Sequence, residues 1–351
     1  MRKLSKAATA ILVKSRAKYG KRLTARDYDE LLGCKTVSDI AVYLRNSTHY
    51  NVSLEGIKEA AVHRGNLEQL LRSKIYADFA ELCKFESSIG EHYFEYLMMK
   101  NEIDRLLVFL RYFISGHGEK YLSALPDFFS HHSKIDFVAI TESRTFEDVL
   151  SYLRGTDYAK LLAPFASDDS GFDFTTVEAV LDKYLYKKTA ELVKKNFDGD
   201  ERDELLKLFE SSAELDNLRR IYRAKKYFNI SKDTLRAQLN EMRSSLTARQ
   251  LNEMIECDNA DDVISLLKKT RYRLILDNTD YTYFDWLAAR IKYDFCRKHM
   301  CFSTHAAVVM ASTIIVFEIE IENITNIIEG KRYGVDNDTI KKMLILERTV
   351  R

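Results

Sequence analysis

The sequence predicts an all-α protein made from one helical unit used three times, and three observations predict it. The first is composition. The 351 residues include only two prolines, Pro126 and Pro164, and twelve glycines, so there is little punctuation for hairpins, while plentiful Leu, Lys, Glu, Arg and Ala suit long helices. The second is a run of acid, aliphatic, acid that opens three similar stretches: Glu102-Ile-Asp104, Glu214-Leu-Asp216 and Glu320-Ile-Glu322. Apolar residues follow three apart, as Ile103, Leu106 and Phe109, as Leu215, Leu218 and Ile221, and as Ile321, Ile324 and Ile327, the spacing of a helix with one buried stripe. The third is a motif that precedes each stretch. It reads Asp39, Ile40, Tyr43, Leu44, Arg45, Thr48, Tyr50, then Asp148, Val149, Tyr152, Leu153, Arg154, Thr156, Tyr158, then Asp262, Val263, Leu266, Leu267, Thr270, Tyr272. Two motifs in one order, recurring about every 110 residues, are the mark of a triplicated unit.

Taken in order, the chain divides at residues 1–115, 116–230 and 231–351. The opening carries nine basic residues and no acid from Met1 to Arg26. Ala8, Ile11, Leu12 and Ala17 can line a packed face, so this stretch is expected to be the first helix of the first unit rather than a transit peptide. Leu23-Thr-Ala-Arg26 reappears as Leu246-Thr-Ala-Arg249, and Cys34 follows the first as Cys257 follows the second. A helix over 67–83 presents Leu67, Leu70, Leu71, Ile75 and Phe79 on one face. Ser115-Gly-His-Gly118 is the first linker, and 166–171 and Asp198-Gly-Asp200 have turn chemistry. In the last unit Gly330 and Gly334 are expected to break the signature helix, and Asp336 to cap a final helix reaching Leu346.

Several functions are disfavoured. Lys plus Arg number 54 against 53 Asp plus Glu, so no overall field draws the chain to nucleic acid or to an anionic membrane. Five irregularly spaced cysteines suit reduced thiols in a cytoplasmic protein. The most apolar run, Ala306 to Phe317, has twelve residues, short of the roughly 20 that span a bilayer, and is expected to be a buried core helix. No GxxxxGK[ST] loop occurs: Gly116-His-Gly118-Glu-Lys120 lacks the spacing and the hydroxyl, so no nucleotide site and no cofactor are expected.

Three clusters carry potential chemistry. Cys296, His299, Cys301 and His305 are zinc-binding types, but on one continuous helix Cys301 and His305 lie about 140–180° from Cys296, so no metal is expected. His131-His132 reads as an exposed pair. The repeated acids Glu102, Asp104, Glu214, Asp216, Glu320 and Glu322 suggest capping, pairing between helices or partner contact more than catalysis, since acids near a helix start are favoured by its dipole. Arg219, Arg220, Arg223, Lys225 and Lys226, with their counterparts Lys331 and Arg332, read either as a solvated helix face or as a docking surface for an acidic protein partner.

Taken together, the Asp-Ile/Val-x-x-Tyr-Leu-Arg pattern followed by Thr-x-Tyr, the triplicated Glu-aliphatic-acid-Asn-aliphatic helix and the basic opening Lys14-Ser-Arg-Ala-Lys-Tyr19 resemble the C subunits of V/A-type ATPases (ATP synthases), the family that includes the d subunits of the eukaryotic enzymes. The resemblance covers essentially the whole chain. Asn217 and Asn323 fit the helix pattern, and Arg105 replaces the Asn in the first copy. The resemblance implies three similar helical domains in a pseudo-threefold funnel. It also implies a non-catalytic rotor component, peripheral on the cytoplasmic face of the membrane, that seats the central stalk (the D and F subunits) on the proteolipid ring and so couples ATP hydrolysis or synthesis to proton or sodium transport. A general helical scaffold binding a peptide or helix is the alternative; stacked helical repeats form open solenoids as readily as closed rings.

Overall fold

Helix starts in this chain are set by short side chains that satisfy free backbone N–H groups. Thr36, Thr145 and Asn259 each stand three residues before the repeated aspartate, and each accepts a hydrogen bond from its backbone N–H. Asp39 and Asp148 return the bond to the threonine N–H, completing capping boxes. Thr24 with Asp27 and Thr247 with Gln250 do the same at the repeated Leu-Thr-Ala-Arg stretch. The aspartate of the sequence motif is thus the third residue of a helix, and the aliphatic residue after it enters the core: Ile40, Val149 and Val263 are all fully buried.

The computed structural model describes residues 6–56, 64–83, 87–116, 133–167, 173–228, 230–277 and 284–347. In chain order its helices are α1 (Lys6–Tyr19), α2 (Ala25–Gly33), α3 (Val37–Ser47), α4 (Arg64–Cys83), α5 (Ser87–Ile114), α6 (Phe146–Tyr152), α7 (Asp157–Leu162), α8 (Phe174–Asn196), α9 (Gly199–Tyr227), α10 (Lys232–Gln238), α11 (Ala248–Glu256), α12 (Ala260–Leu267), α13 (Arg273–Asp277), α14 (Phe284–Phe302), α15 (Ala306–Arg332) and α16 (Asn337–Met343), with short 3-10 turns between some of them. The described residues contain no strand, and the protein is all-α. By packing the chain forms two compact units, one of residues 1–90, 199–219 and 264–351, the other of residues 91–198 and 220–263.

The first unit is built around α15. Every residue from Ala306 to Phe317 is buried, as expected for a core helix, and α15 packs against α14, α1, α4, α2 and α16. The basic opening is one of these neighbours: Ile11, Leu12 and Ser15 are buried on α1, Ala17 stays exposed, and Arg16 donates to the carbonyls of Met300 (3.0 Å) and Ser303 (2.7 Å). On α4, Leu67, Leu71, Ile75 and Phe79 are buried and Leu70 half-buried. No described helix is long and apolar enough to cross a membrane.

The second unit has its core where Ile103, Leu106, Phe109 and Leu110 of α5 meet Ile135, Phe137, Ile140, Val149, Leu153, Tyr158 and Leu162 and the Val177, Leu181 and Leu185 face of α8. The apolar stripe predicted for each signature helix is buried in all three copies.

Four expectations need correction. The signature acids do not lie at helix starts, because α5, α9 and α15 begin fifteen, fifteen and fourteen residues before Glu102, Glu214 and Glu320. The helix dipole therefore cannot account for them. Gly330 does not break α15 but lies within it, where an added Cβ would come 2.5 Å from Cγ1 and Cδ1 of Ile340; it is glycine so that α16 can approach. Gly334, at φ +67°, does end the helix, in a Schellman arrangement with Val335 N–H on the Gly330 carbonyl and Gly334 N–H on that of Lys331. The run over Cys296 to His305 is two helices, since Ser303 to His305 separate α14 from α15. Asp336 caps the final helix as expected, but that helix stops at Met343. The pair His131-His132 and most of the linker beyond Gly116 lie outside the described residues.

Candidate functional site

The repeated motif has a common outcome in space. After the buried leucine, the threonine hydroxyl turns back onto its carbonyl: Thr48 to Leu44 at 2.5 Å, Thr156 to Leu153 at 2.7 Å and Thr270 to Leu267 at 2.7 Å. This closes the helix and directs the tyrosine two residues later inward, so that Tyr50, Tyr158 and Tyr272 are buried at 1%, 3% and 4% exposure. Each then donates its hydroxyl to a signature glutamate.

The pairing is shifted by one repeat. Tyr158 of the second repeat reaches Glu102 of the first at 2.8 Å. Tyr272 of the third reaches Glu214 of the second. Tyr50 of the first reaches Glu320 of the third at 2.8 Å, across 270 residues of sequence. Each third of the chain thus supplies a carboxylate to the next, and the last supplies one to the first.

All three glutamates are buried at 4% exposure, where an unpartnered carboxylate would be costly, and each has further donors. Glu102 accepts from Ser133 Oγ (2.9 Å) and Lys134 N–H (2.8 Å). Glu214 accepts from Arg271 (3.1 Å). Glu320 accepts from Leu23 N–H (2.6 Å) and lies 2.8 Å from His49 Nε2. Burial, and next the neighbouring glutamate, push the phenols of Tyr50, Tyr158 and Tyr272 well above their ordinary range. They remain protonated donors at physiological pH. These are buried charge-assisted hydrogen bonds that hold elements together, and the acids take the pairing role among those the sequence allowed.

The motif's other polar positions also act as ties. Tyr43 donates to Asp27 Oδ1 at 2.9 Å, and burial followed by that bond pushes its phenol up to about 12. Asn323 grips the main chain of Ile345 at two points, donating to its carbonyl at 2.9 Å and accepting from its N–H at 2.8 Å, while also donating to Tyr28. Asn217 is buried too, whereas Arg105, in the corresponding place of the first repeat, bonds Asn101 on its own helix.

Of the basic residues, several are engaged within the molecule. Lys331 donates to the carbonyl of Leu32 at the end of α2, and Lys225 to that of Ile255 at the end of α11 (2.7 Å). Leu32 and Ile255 occupy equivalent places after the repeated Leu-Thr-Ala-Arg, so both lysines complement helix C-termini. Arg220 bridges Asp182 (3.0 Å) and the Gln238 carbonyl (2.6 Å). Arg219 is half-buried beside Asp216 (3.2 Å). Arg223, Lys226 and Arg332 are exposed at the ends of their helices, next to exposed Tyr227, Phe228 and Tyr333.

The zinc-type residues do not come together. Cys296 is fully buried, and burial pushes its thiol up to about 12. His299 faces Glu204 at 3.6 Å, Cys301 is exposed, and His305 precedes α15 as its N-cap. No group of three or more ligand-type side chains converges among the described residues.

The intra-repeat order of the motifs was legible in sequence, but their exchange between repeats was not. The available signal was that one tyrosine and one glutamate recur three times each, in equal number and fixed order. No curated protein matches the chain. The family model described as ATP synthase (C/AC39) subunit matches residues 11–343, which leaves out only ten residues at one end and eight at the other. The chain belongs to the ATP synthase (C/AC39) subunit family, that of the C and d subunits of the V/A-type ATPases.

Proposed function

We propose that this protein is the non-catalytic rotor adaptor of its ATPase, with three similar helical domains closed about a pseudo-threefold axis into a funnel. It receives the D and F subunits of the central stalk and rests on the proteolipid ring at the cytoplasmic face of the membrane. The observation that carries this reading is the cyclic shift of the tyrosine–glutamate pairs. A part that transmits torque must resist twisting, and a set of repeats in which the last grips the first has no free end from which to unwind. The Tyr50–Glu320 bond is the step an open solenoid would lack. On this reading the chain contributes no group to ATP hydrolysis, and its buried carboxylates serve rigidity.

The exposed bases Arg223, Lys226, which also donates to the Tyr222 hydroxyl at 3.0 Å, and Arg332, 3.9 Å from Glu329, are the part of the basic set that reaches solvent and meets an acidic or polar end of the stalk. Arg220, Lys225 and Lys331 would act behind them by fixing helix ends, and Arg219 by pairing with Asp216 on its own helix. The test is depletion and add-back in membranes or proteoliposomes. Without the protein, the detached head should keep ATPase activity while ion pumping is lost. Added protein should restore pumping in proportion to occupancy and should co-purify with head and ring subunits in mild detergent. Pumping that persists in its absence would refute the adaptor role.

A further inference from the structure

After α16 the chain continues through Leu344, Ile345, Leu346 and Glu347, and side chains from elsewhere in the first unit take the Leu344 carbonyl, both main-chain groups of Ile345, the Leu346 carbonyl and the Glu347 carboxylate. Trp286 Nε1 donates to the Leu344 carbonyl at 3.2 Å. Asn323 holds both the N–H and the carbonyl of Ile345. Arg290, itself buried at 3% exposure and paired with Asp294, donates to the Leu346 carbonyl. Glu347 then lies between two guanidinium groups, Arg22 on one side and Arg297 at 2.9 Å on the other. Leu344 and Ile345 are buried at 4% and 6% exposure. Beneath this strap is a cavity of about 390 Å³ lined by Thr24, Tyr28, Tyr293, Glu320 and Asn323 as well as the two arginines.

Arg22 belongs to the first third of the chain, and Arg297 and Glu347 to the last. The carboxylate therefore spans the same junction as Tyr50–Glu320, but at its rim rather than in its interior: the side chains of Arg22, Arg297 and Glu347 are 22%, 34% and 39% exposed. We propose that residues 344–347 form a releasable clasp, locked at its tip by the Arg22–Glu347–Arg297 bridge, and that lifting it removes one wall of this half-open pocket and loosens the junction between the first and last thirds from this edge while the α14 and α15 core stays folded. The two guanidinium groups, with the hydrogen bonds they make, outweigh partial burial and hold the Glu347 carboxyl below its usual range. The lock is thus closed throughout neutral pH. Because its members touch solvent, salt weakens it, the screening length shrinking from about 10 Å at 0.1 M to about 3 Å at 1 M.

Hydrogen exchange on the full-length protein tests this. In Glu347→Gln the amide of Ile345 and its neighbours in the strap should exchange about tenfold faster than in the wild type, with amides of α14 and α15 unchanged. Wild-type protein in 1 M NaCl should move in the same direction. Arg297→Met, which leaves Arg22 in place, should give a smaller increase. Faster exchange of strap, α14 and α15 together would mean that the strap is part of one cooperative core. No change at the strap would mean that Asn323 and Trp286 hold it without the charges. Either result overturns the proposal.

Discussion

Removing one hydroxyl from the Tyr50–Glu320 pair tests whether the buried glutamates are what ties the repeats. In Tyr50→Phe the ring keeps its place and only the 2.8 Å bond to Glu320 is lost. Hydrogen bonds to charged groups contribute about 1.5–3 kcal/mol net, and because Glu320 retains Leu23 N–H and His49, the low end of about 1.5 kcal/mol applies. Glu320→Ala is a different perturbation. It leaves the Tyr50 hydroxyl, His49 and the Leu23 N–H without their acceptor, and breaking a buried charged pair from one side costs about 3–5 kcal/mol. At ~2–4 °C per kcal/mol for a chain of this size class, the first variant should melt ~3–6 °C below the wild type and the second ~6–20 °C below it. Thermal unfolding followed by circular dichroism measures both, with Tyr333→Phe as the control, since Tyr333 is 71% exposed and should not change. Because the chain packs as two units, melting can occur in two steps. Tyr50→Phe should then lower the step belonging to the unit that contains α15, and Tyr158→Phe the other. A Tyr50→Phe protein within about 0.5 °C of the wild type would refute the assignment of this bond as a tie, and a Glu320→Ala protein no worse than Tyr50→Phe would show that the carboxylate is not its centre.

Two other predictions concern packing and pH. Gly330→Ala gains helix propensity of about 1 kcal/mol but drives a Cβ to 2.5 Å from Ile340, an overpacking worth about 1–3 kcal/mol; a net loss in melting temperature is expected, partly reversed by adding Ile340→Val, and a stabilised Gly330→Ala would show that α16 is free to shift. Burial, opposed by Glu204, holds His299 below its ordinary 6.5. The unfolded chain therefore binds that proton first, so His299 contributes stability that is complete above about 6.5 and is lost as pH falls through the lower folded value. Melting temperature should decline from pH 7 to 5, and His299→Gln should flatten that decline; an equal slope in both proteins would sink the assignment. Below the carboxylate range Glu81, Glu256 and Glu347, each held low, add their own losses in the same direction.

How far the sequence could be read depended on whether a signal was local. Helix stripes were legible because burial follows the 3.6-residue period, and Ile321, Ile324 and Ile327 came out buried together. Thr24 and Thr247 are legible within the repeated Leu-Thr-Ala-Arg stretch and Asp39 and Asp148 within the motif, but Thr36 and Thr145, which complete the capping boxes with those aspartates, stand outside any repeat the sequence marks. The depth of the glutamates in their helices is not legible, because the start of a motif does not mark the start of its helix: α15 opens with an apolar stretch that carries no motif. Breaks were the other failure. Ser303, Thr304 and His305 contain neither glycine nor proline, so nothing local marks the end of α14. Gly330 looked like punctuation when it was in fact a contact, which only the position of Ile340 reveals. The basic cluster was legible as a cluster, but the engagement of Lys225, Lys331 and Arg220 with helix ends and Asp182 depends on tertiary neighbours that no spacing encodes.

The shift by one repeat makes a demand that a modular array does not. If each third folded around its own core, deleting residues 246–351 would remove one module and leave two intact. Here the deletion takes Tyr272 and Arg271 from Glu214, and Glu320 from Tyr50, His49 and Leu23. It also takes α15, against which α1, α2 and α4 pack. One buried carboxylate loses two donors, one buried phenol loses its acceptor, and the apolar faces of three helices meet water, which favours aggregation. The fragment 1–245 should therefore show no cooperative melt for its N-terminal helices and should restore no pumping in the add-back assay. A soluble, cooperatively melting fragment that recovers part of the coupling would mean that the thirds stand alone, and the closed adaptor would have to be given up in favour of an open scaffold.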